Sequence, residues 1–173
     1  MAKLSLVCAI AIVYGATVAA QTRAADRPLT DQDRAEIQRL VERYALALSS
    51  CQSAEYASLF VPDGTFTSND FRGPRHRAMY GPNGGTLVGR ARLAELVETE
   101  EFCIDKSTNQ GARGNRIPPR VQLTESSDGV RGTIPLANNG RYEDVYVKTS
   151  EGWRFKSRKV VMPTLPASPG SSR

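Results

Sequence analysis

The spacing of apolar residues along this chain changes from a helical period in the first part to a strand-like period in the last. One stripe at spacings of three and four predicts an amphipathic helix with these inward residues: Ile37, Leu40, Val41, Tyr44 and Leu48. Thr30 can cap this helix, and Asp31 and Asp33 place negative charge in its first turn, where such charge suits the helix dipole. This is the best-defined element of the sequence.

A second, shorter helix is predicted over residues 53–60, with Ser53 as its cap and Tyr56 on its inward side. Pro62 and Gly64 end it, and Asp63 between them can bond its own backbone in a tight turn. Residues 65–67 then alternate as in a strand.

Residues 69–89 are rich in glycine, proline, asparagine and arginine and show no clear period. A long irregular segment of this kind is typical of a functional flap or a mobile insertion. Helical spacing returns over residues 89–102, which predicts a third helix.

The last third of the domain predicts a β-meander. The turn signals at 127–129, 138–140 and 150–152 separate four predicted strands, at 121–124, 130–136, 141–148 and 153–162. Helices followed by antiparallel strands indicate an α+β domain in which the helices cover one sheet face. A strongly curved sheet around the first helix would leave an apolar pocket.

The two ends of the chain differ from this pattern. Residues 1–20 combine one lysine, a short apolar run and small residues near Ala20, the layout of a secretory signal peptide; an uncleaved anchor is the alternative. Residues 21–29 are predicted to be a flexible lead, residues 30–162 the domain, and residues 163–173 a disordered tail. The expected location is periplasmic or secreted, with no membrane attachment after cleavage.

Cleavage would remove Cys8 and leave Cys51 and Cys103. Oxidising compartments favour a disulfide between such a pair, although two unpaired buried thiols are the alternative. Metal binding is not expected, because the chain has one histidine and no CxxC motif, and no cofactor is predicted.

The formal charge of +5 and the pI near 9.3 come from arginines scattered along the chain. No run of basic residues is interleaved with aromatic residues, so the charge is interpreted as a solvated surface and nucleic-acid binding is not expected.

Four segments in this order resemble the SnoaL-like family of the nuclear transport factor 2-like superfamily: residues 37–48, 56–66, 89–93 and, most closely, 140–161. The resemblance implies a cone-shaped, curved antiparallel sheet packed on about three N-terminal helices. It also implies a small, largely apolar ligand in the cone, with acid–base activity of the isomerase, dehydratase or hydrolase type. A non-catalytic module, or a homodimer formed through the sheet face, is the alternative.

This chain departs from many relatives at two positions often used for pocket chemistry, so a relative's catalytic mechanism cannot be transferred to it directly. Many relatives carry an acidic residue just after the first helix, where this chain has Ser49-Ser50-Cys51-Gln52. Many also carry an arginine–histidine pair after the third helix, where residues 105–109 contain no histidine.

The candidate catalytic residues are Asp144 and His76. Period-two alternation places Asp144 on one strand face with Tyr142 and Tyr146, giving an acid between two phenols, unless that face is exposed. His76 is the only histidine; it is interpreted either as the base of a flap or as a solvated loop residue.

Further residues are candidates for the wall of the pocket, and several of them can also be interpreted as purely structural. Asp63 has its turn role, and Tyr44 and Tyr56 lie on stripes where packing is the usual role of an aromatic residue. Phe66 and Trp153 complete the predicted wall; the indole of Trp153 can fill the seam between sheet and helix.

Overall fold

A computed structural model describes residues 28–68, 84–99, 103, 120–136 and 139–163. The signal segment, His76 and the tail from residue 164 lie outside the described residues. Within them the chain forms, in order, α1 (Asp31–Ser49), α2 (Ser53–Ser58), β1 (Phe60–Ser68), β2 (Gly85–Val88), α3 (Arg90–Glu98), β3 (Gln122–Ser126), β4 (Gly129–Pro135), β5 (Arg141–Thr149) and β6 (Gly152–Val161).

The strands form one curved, six-stranded sheet in the order β2-β1-β6-β5-β4-β3. The helices lie against one face of it, which confirms the α+β cone expected from the sequence. One pairing differs from the expected antiparallel arrangement: β1 runs parallel to β6. The sheet is therefore mixed: β6, the last strand of the meander β3 to β6, lies beside β1 and runs in the same direction.

Helix α1 begins as the sequence predicts. The Thr30 hydroxyl accepts a hydrogen bond from the backbone of Asp33, and the Asp33 carboxylate accepts one from the backbone of Thr30, which completes a capping box. The predicted stripe is buried from Ile37 to Tyr44, whereas Leu48 is half-buried and Ala47 is buried near the end of the helix.

The segment after α1 corrects the prediction of a longer second helix. Helix α2 ends at Ser58, and Phe60 already belongs to β1. Gln52 occupies the cap position, while the Ser53 hydroxyl donates to Glu98 on α3 at 2.8 Å. The expected tight turn at residues 62–64 is instead an irregularity inside β1, because the register with β6 shifts between Phe60 and Thr65.

The structure also corrects the boundaries around residue 89. Strand β2 occupies residues inside the segment predicted to be irregular, and α3 ends at Glu98, earlier than predicted. Gly89 precedes α3 with a positive φ of 85°, a conformation that favours glycine. The Arg90 guanidinium then donates two hydrogen bonds, of 2.9 and 2.7 Å, to the carbonyl of Phe60, which fixes α3 to the start of β1.

Asp33 joins the N-terminus of α1 to the hairpin of β5 and β6. Its carboxylate is buried, and one oxygen accepts hydrogen bonds from the Lys148 ammonium at 2.6 Å and the Trp153 indole at 3.1 Å. Burial alone would raise the pKa of Asp33, but the hydrogen bonds from Lys148, Thr30 and Trp153 outweigh it and hold the pKa well below its usual range. The Trp153 ring thus fills the seam between sheet and helix, as its position in the sequence indicated.

We expect this carboxylate to make the protein sensitive to acid. A pKa that is lower in the folded than in the unfolded state stabilises the fold above the unfolded value of about 3.9, and that stabilisation is lost as the pH falls further. Urea unfolding should show Asp33→Asn to be less stable at pH 7 by about 2 kcal/mol and less dependent on pH between about 5 and 3. Asp31→Asn, in the same turn but exposed, is the matched control. Equal pH dependence of the Asp33 variant and the parent would contradict this role.

A disulfide joins Cys51 to Cys103, with 5.5 Å between their Cα atoms. The structure thus agrees with the paired alternative rather than with two free thiols. The bond ties the junction of α1 and α2, where Cys51 has a φ of 56°, to the chain beyond α3. No helix within the described ranges is long and apolar enough to cross a membrane.

Candidate functional site

A buried ion pair lies in the middle of the sheet face that packs against the helices. The pairing of four adjacent strands places Phe66, Arg158, Asp144 and Gly132 side by side in one row across the sheet. Leu87 and Leu123 continue the row on either side. Asp144 and Arg158 are only 3% and 1% exposed, so both charges are removed from water among apolar neighbours.

Both oxygens of the Asp144 carboxylate are occupied. Arg158 donates from Nε to Oδ1 at 2.8 Å and from Nη2 to Oδ2 at 2.7 Å, which is a two-point contact. The Tyr146 hydroxyl donates to Oδ2 at 2.6 Å. This geometry fixes the orientation of the carboxylate and, through it, the plane of the guanidinium.

The Arg158 guanidinium is enclosed by aromatic rings. Its central carbon lies 3.9 Å from the ring centre of Tyr44 and 4.3 Å from those of Tyr142 and Phe155. Burial lowers the pKa of Arg158, but the adjacent Asp144 carboxylate raises it by more, so the side chain stays charged. Its third nitrogen, Nη1, is buried and has no hydrogen-bond partner among the described residues.

A group of phenols surrounds this pair. The Tyr56 hydroxyl lies 3.3 Å from that of Tyr44, and the rings of Tyr44 and Tyr142 meet nearly edge to face with 6.0 Å between their centres. Burial raises the pKa of Tyr44, Tyr142 and Tyr146 above the usual range. The phenols are therefore protonated at neutral pH and act as hydrogen-bond donors.

Gly132 allows Tyr146 to reach Asp144. A Cβ at this position would lie 2.5 Å from the ring of Tyr146 and 2.9 Å from the side chain of Val121, closer than packed atoms approach. The absence of a side chain therefore leaves the space in which the Tyr146 ring lies over β4.

Arg158 is the functional candidate that the sequence analysis missed, and the interpretation of arginine as solvated surface is wrong for it. Strict alternation along β6 would direct Arg158 away from the face shared by Trp153 and Phe155. The register between β5 and β6 shifts between Val145 and Tyr146, and Lys156 is the extra residue on β6. The shift turns Arg158 inward. The sequence did contain one signal for a buried arginine: a carboxylate predicted on an inward strand face, as at Asp144, needs a cation partner.

The structure brings together most of the candidates named from the sequence. Asp144, Tyr142 and Tyr146 share the inward face with Tyr44 and Tyr56, so this strand face is not exposed. Phe66 is buried in the same row, next to Arg158.

Other candidates lie apart from this group. Trp153 is buried, but it contacts Asp33 at the start of α1. Asp63 is exposed where the register of β1 is irregular. His76 lies outside the described residues. In the described part of the chain no three histidine, cysteine, aspartate or glutamate side chains converge as metal ligands.

Solved structures with the same fold are similar over most of the chain. An NTF2-like protein with a cystatin-like fold from Novosphingobium aromaticivorans is 17% identical, with a TM-score of 0.52 over 81% of this chain and 85% of that one. ActVI-ORFA from Streptomyces coelicolor is 18% identical, with a TM-score of 0.51 over 77% and 96% of the two chains. The hexachlorocyclohexane dehydrochlorinase LinA-type3 from Novosphingobium barchaimii is also 18% identical, with a TM-score of 0.51 over 81% and 96%. At these identities the similarity establishes the fold alone.

The sequence comparison assigns the family directly. No curated protein sequence matches the chain. The profile of the SnoaL-like domain matches residues 30–159, from the cap of α1 to near the end of β6. Because this match covers most of the chain and agrees with the observed fold, the protein belongs to the SnoaL-like domain family.

Proposed function

We propose that this protein binds a small, largely apolar molecule on the inward face of the curved sheet, where Tyr44, Tyr142 and Arg158 meet. The observation that carries the proposal is the ion pair of Asp144 and Arg158, buried within a group of aromatic rings. The rings supply apolar contact area, and the polar groups give the ligand an orientation, which is the composition of most small-molecule sites.

Fold stability alone does not account for this ion pair. Removing two charges from water costs several kcal/mol per ion, and apolar residues of similar volume in place of such pairs often leave stability unchanged or increased. The arrangement also requires Gly132 to be free of a side chain and β6 to be irregular beside Arg158. So specific a placement of a guanidinium favours a role in recognition.

Within this proposal Asp144 is a positioning residue rather than a general base. Its two oxygens accept three hydrogen bonds from Arg158 and Tyr146, which fix the carboxylate beside the guanidinium. Hydrogen-bond donation to a ligand falls instead to the phenols of Tyr44 and Tyr142, which burial keeps protonated by raising their pKa values.

Fluorescence titration with N-phenyl-1-naphthylamine, a neutral apolar probe that brightens in apolar surroundings, tests the site. We expect saturable binding to the parent protein. Tyr142→Trp should weaken binding at least tenfold, because the larger side chain takes up space beside Arg158. The matched control is Val88→Trp, which adds the same residue at a position that is 57% exposed, next to the buried Leu87.

Two results would reject the site. One is the absence of saturable binding to the folded parent protein. The other is loss of binding in Val88→Trp with retention in Tyr142→Trp, since this would place the probe on the outer sheet face. Light scattering of the same samples tests the alternative, a homodimer through that face: a dimer that Val88→Trp dissociates would favour the interaction module.

We also propose that the protein is exported and that residues 1–20 are removed. The disulfide between Cys51 and Cys103 supports this, because such bonds persist mainly in oxidising compartments. Expression of the full chain in a Gram-negative host, followed by fractionation and mass measurement, should give a periplasmic protein beginning at Gln21. Intact protein in the cytoplasmic fraction would contradict export.

A further inference from the structure

We infer that the ligand presents a neutral carbonyl oxygen to Nη1 of Arg158. This inference rests on the proposed function, because it names the chemical class of the molecule that binds on the inward face. It begins from a buried donor that has no hydrogen-bond partner among the described residues.

Nη1 of Arg158 is that donor. The other two guanidinium nitrogens donate to the two oxygens of Asp144, whereas Nη1 is buried and makes no hydrogen bond to the described residues. Buried donors in folded proteins are almost always paired with protein, water or ligand, since an unpaired one keeps the full cost of its lost hydration. A partner oxygen is therefore expected at this position.

The direction of approach restricts that partner. In a planar guanidinium, the edge formed by Nε and Nη2 faces Asp144, so Nη1 lies on the side away from the carboxylate. Tyr44 and Tyr142 cover the guanidinium with their rings. These two rings, inclined at 75° to each other, restrict the directions from which an acceptor can reach Nη1, and a single carbonyl oxygen on a flat or cyclic apolar molecule needs little room there.

The charge balance excludes a carboxylate. Asp144 already neutralises Arg158, and in the part of the chain that the structure describes no other charged side chain is buried on this part of the sheet. A second carboxylate at Nη1 would add an uncompensated negative charge among aromatic rings, which is strongly unfavourable. A neutral oxygen gains a hydrogen bond from a charged donor without that cost.

Three probes of similar size separate these possibilities: cyclohexanone, its isostere methylenecyclohexane, and cyclohexanecarboxylate. Affinities are measured by displacement of N-phenyl-1-naphthylamine and by ligand-observed NMR. We expect cyclohexanone to bind at least tenfold more tightly than methylenecyclohexane, and the carboxylate most weakly. The carbon-13 resonance of the bound carbonyl should move downfield, as it does on accepting a hydrogen bond.

Variants of Arg158 connect the preference to Nη1. Arg158→Lys keeps the charge beside Asp144 but lacks the planar fork, so it should reduce the ketone preference over methylenecyclohexane to less than threefold. If this variant does not fold, Arg158→Met combined with Asp144→Asn removes both charges and should give the same loss. Lys148→Met breaks a different ion pair, with Asp33, and should keep the full preference.

Each outcome bears on one of the two proposals. Equal affinity for the ketone and the isosteric alkene would overturn the carbonyl assignment and indicate that water serves Nη1, while the proposed site stands. Strongest binding by the carboxylate would overturn the neutral-ligand assignment. A ketone preference that survives both Arg158 variants would place the carbonyl elsewhere. No binding of any probe, the naphthylamine included, would overturn the proposed function and this inference with it.

Discussion

Replacing Asp144 by alanine is expected to lower the free energy of unfolding by about 3–5 kcal/mol, because it leaves the Arg158 charge buried without its counter-ion. Both side chains of the pair are fully buried, and Tyr146 loses its acceptor at the same time. Urea unfolding monitored by circular dichroism measures the change.

The neighbouring residue supplies the matched control. Glu143 pairs with Arg141 on the same strand, but both side chains are roughly half exposed. Surface pairs of this kind contribute about 0–1 kcal/mol, so Glu143→Ala should cost little. A loss of stability in Asp144→Ala no larger than that in Glu143→Ala would contradict the importance of the buried pair.

A double variant separates the energy of the pair from the cost of isolating one charge. Asp144→Asn combined with Arg158→Met removes both charges and leaves an oxygen to accept from Tyr146. We expect it to be within about 1 kcal/mol of the parent protein, because neutral replacement of a buried pair is often tolerated. A double variant as unstable as Asp144→Ala would show that the pair itself holds the fold.

The cost of leaving Arg158 without its counter-ion affects how ligand binding by Asp144 variants should be interpreted. Asp144→Ala should weaken ligand binding by destabilising the fold and releasing Arg158 from its fixed orientation, so a loss of function in that variant is no evidence that Asp144 transfers a proton. The double variant is the informative one, because it lacks the charges but keeps the fold. Loss of ligand orientation in that variant, with apolar binding retained, would assign recognition to Arg158.

The elements that the sequence predicted best are those governed by local signals. Helix α1 follows from a capping residue and a regular apolar stripe, and both occur where expected. Alternation along β5 placed Tyr142, Asp144 and Tyr146 on one face, as the structure does. These patterns depend only on residues near one another in the chain.

The features that the sequence missed depend on distant pairings. The irregularities in β1 and β6 are opposite one another across a parallel pair that joins the first and last strands of the fold. A shift of one residue reverses which side chains face inward, so alternation read along β6 assigns Arg158 to the wrong face. The contact between Asp144 and Arg158 could therefore not be predicted from the sequence, although Asp144 was identified as a candidate.

The second large effect is expected at the disulfide between Cys51 and Cys103. The bond closes a loop with a sequence separation of 52 residues, and loss of that constraint should destabilise the protein by about 4 kcal/mol in the chain-entropy description. The midpoint of thermal unfolding should fall by roughly 10 °C on reduction. Differential scanning calorimetry with and without dithiothreitol measures this shift.

Reduction is also expected to weaken ligand binding. Cys51 directly follows the last turn of α1 and precedes α2, the two helices that carry Tyr44 and Tyr56, and the tight turn between them is held by hydrogen bonds from Cys51 to Leu48 and from Gln52 to Ala47. The bond to Cys103 ties this turn to the chain beyond α3, beside the contact of α2 with α3 through Ser53 and Glu98. The phenols beside Arg158 should lose part of their fixed geometry when this bond is broken.

The variant Cys51→Ser with Cys103→Ser isolates the bond from other effects of the reductant. It should match the reduced parent protein in both thermal midpoint and naphthylamine affinity, and dithiothreitol should change neither. Two titratable thiols in the denatured, unreduced mature protein would show that the bond does not form. A large loss of stability with unchanged affinity would show that the disulfide stabilises the fold but does not position the ligand-binding phenols. Tyr44 and Tyr56 would then be positioned only by the packing of α1 and α2 against the sheet.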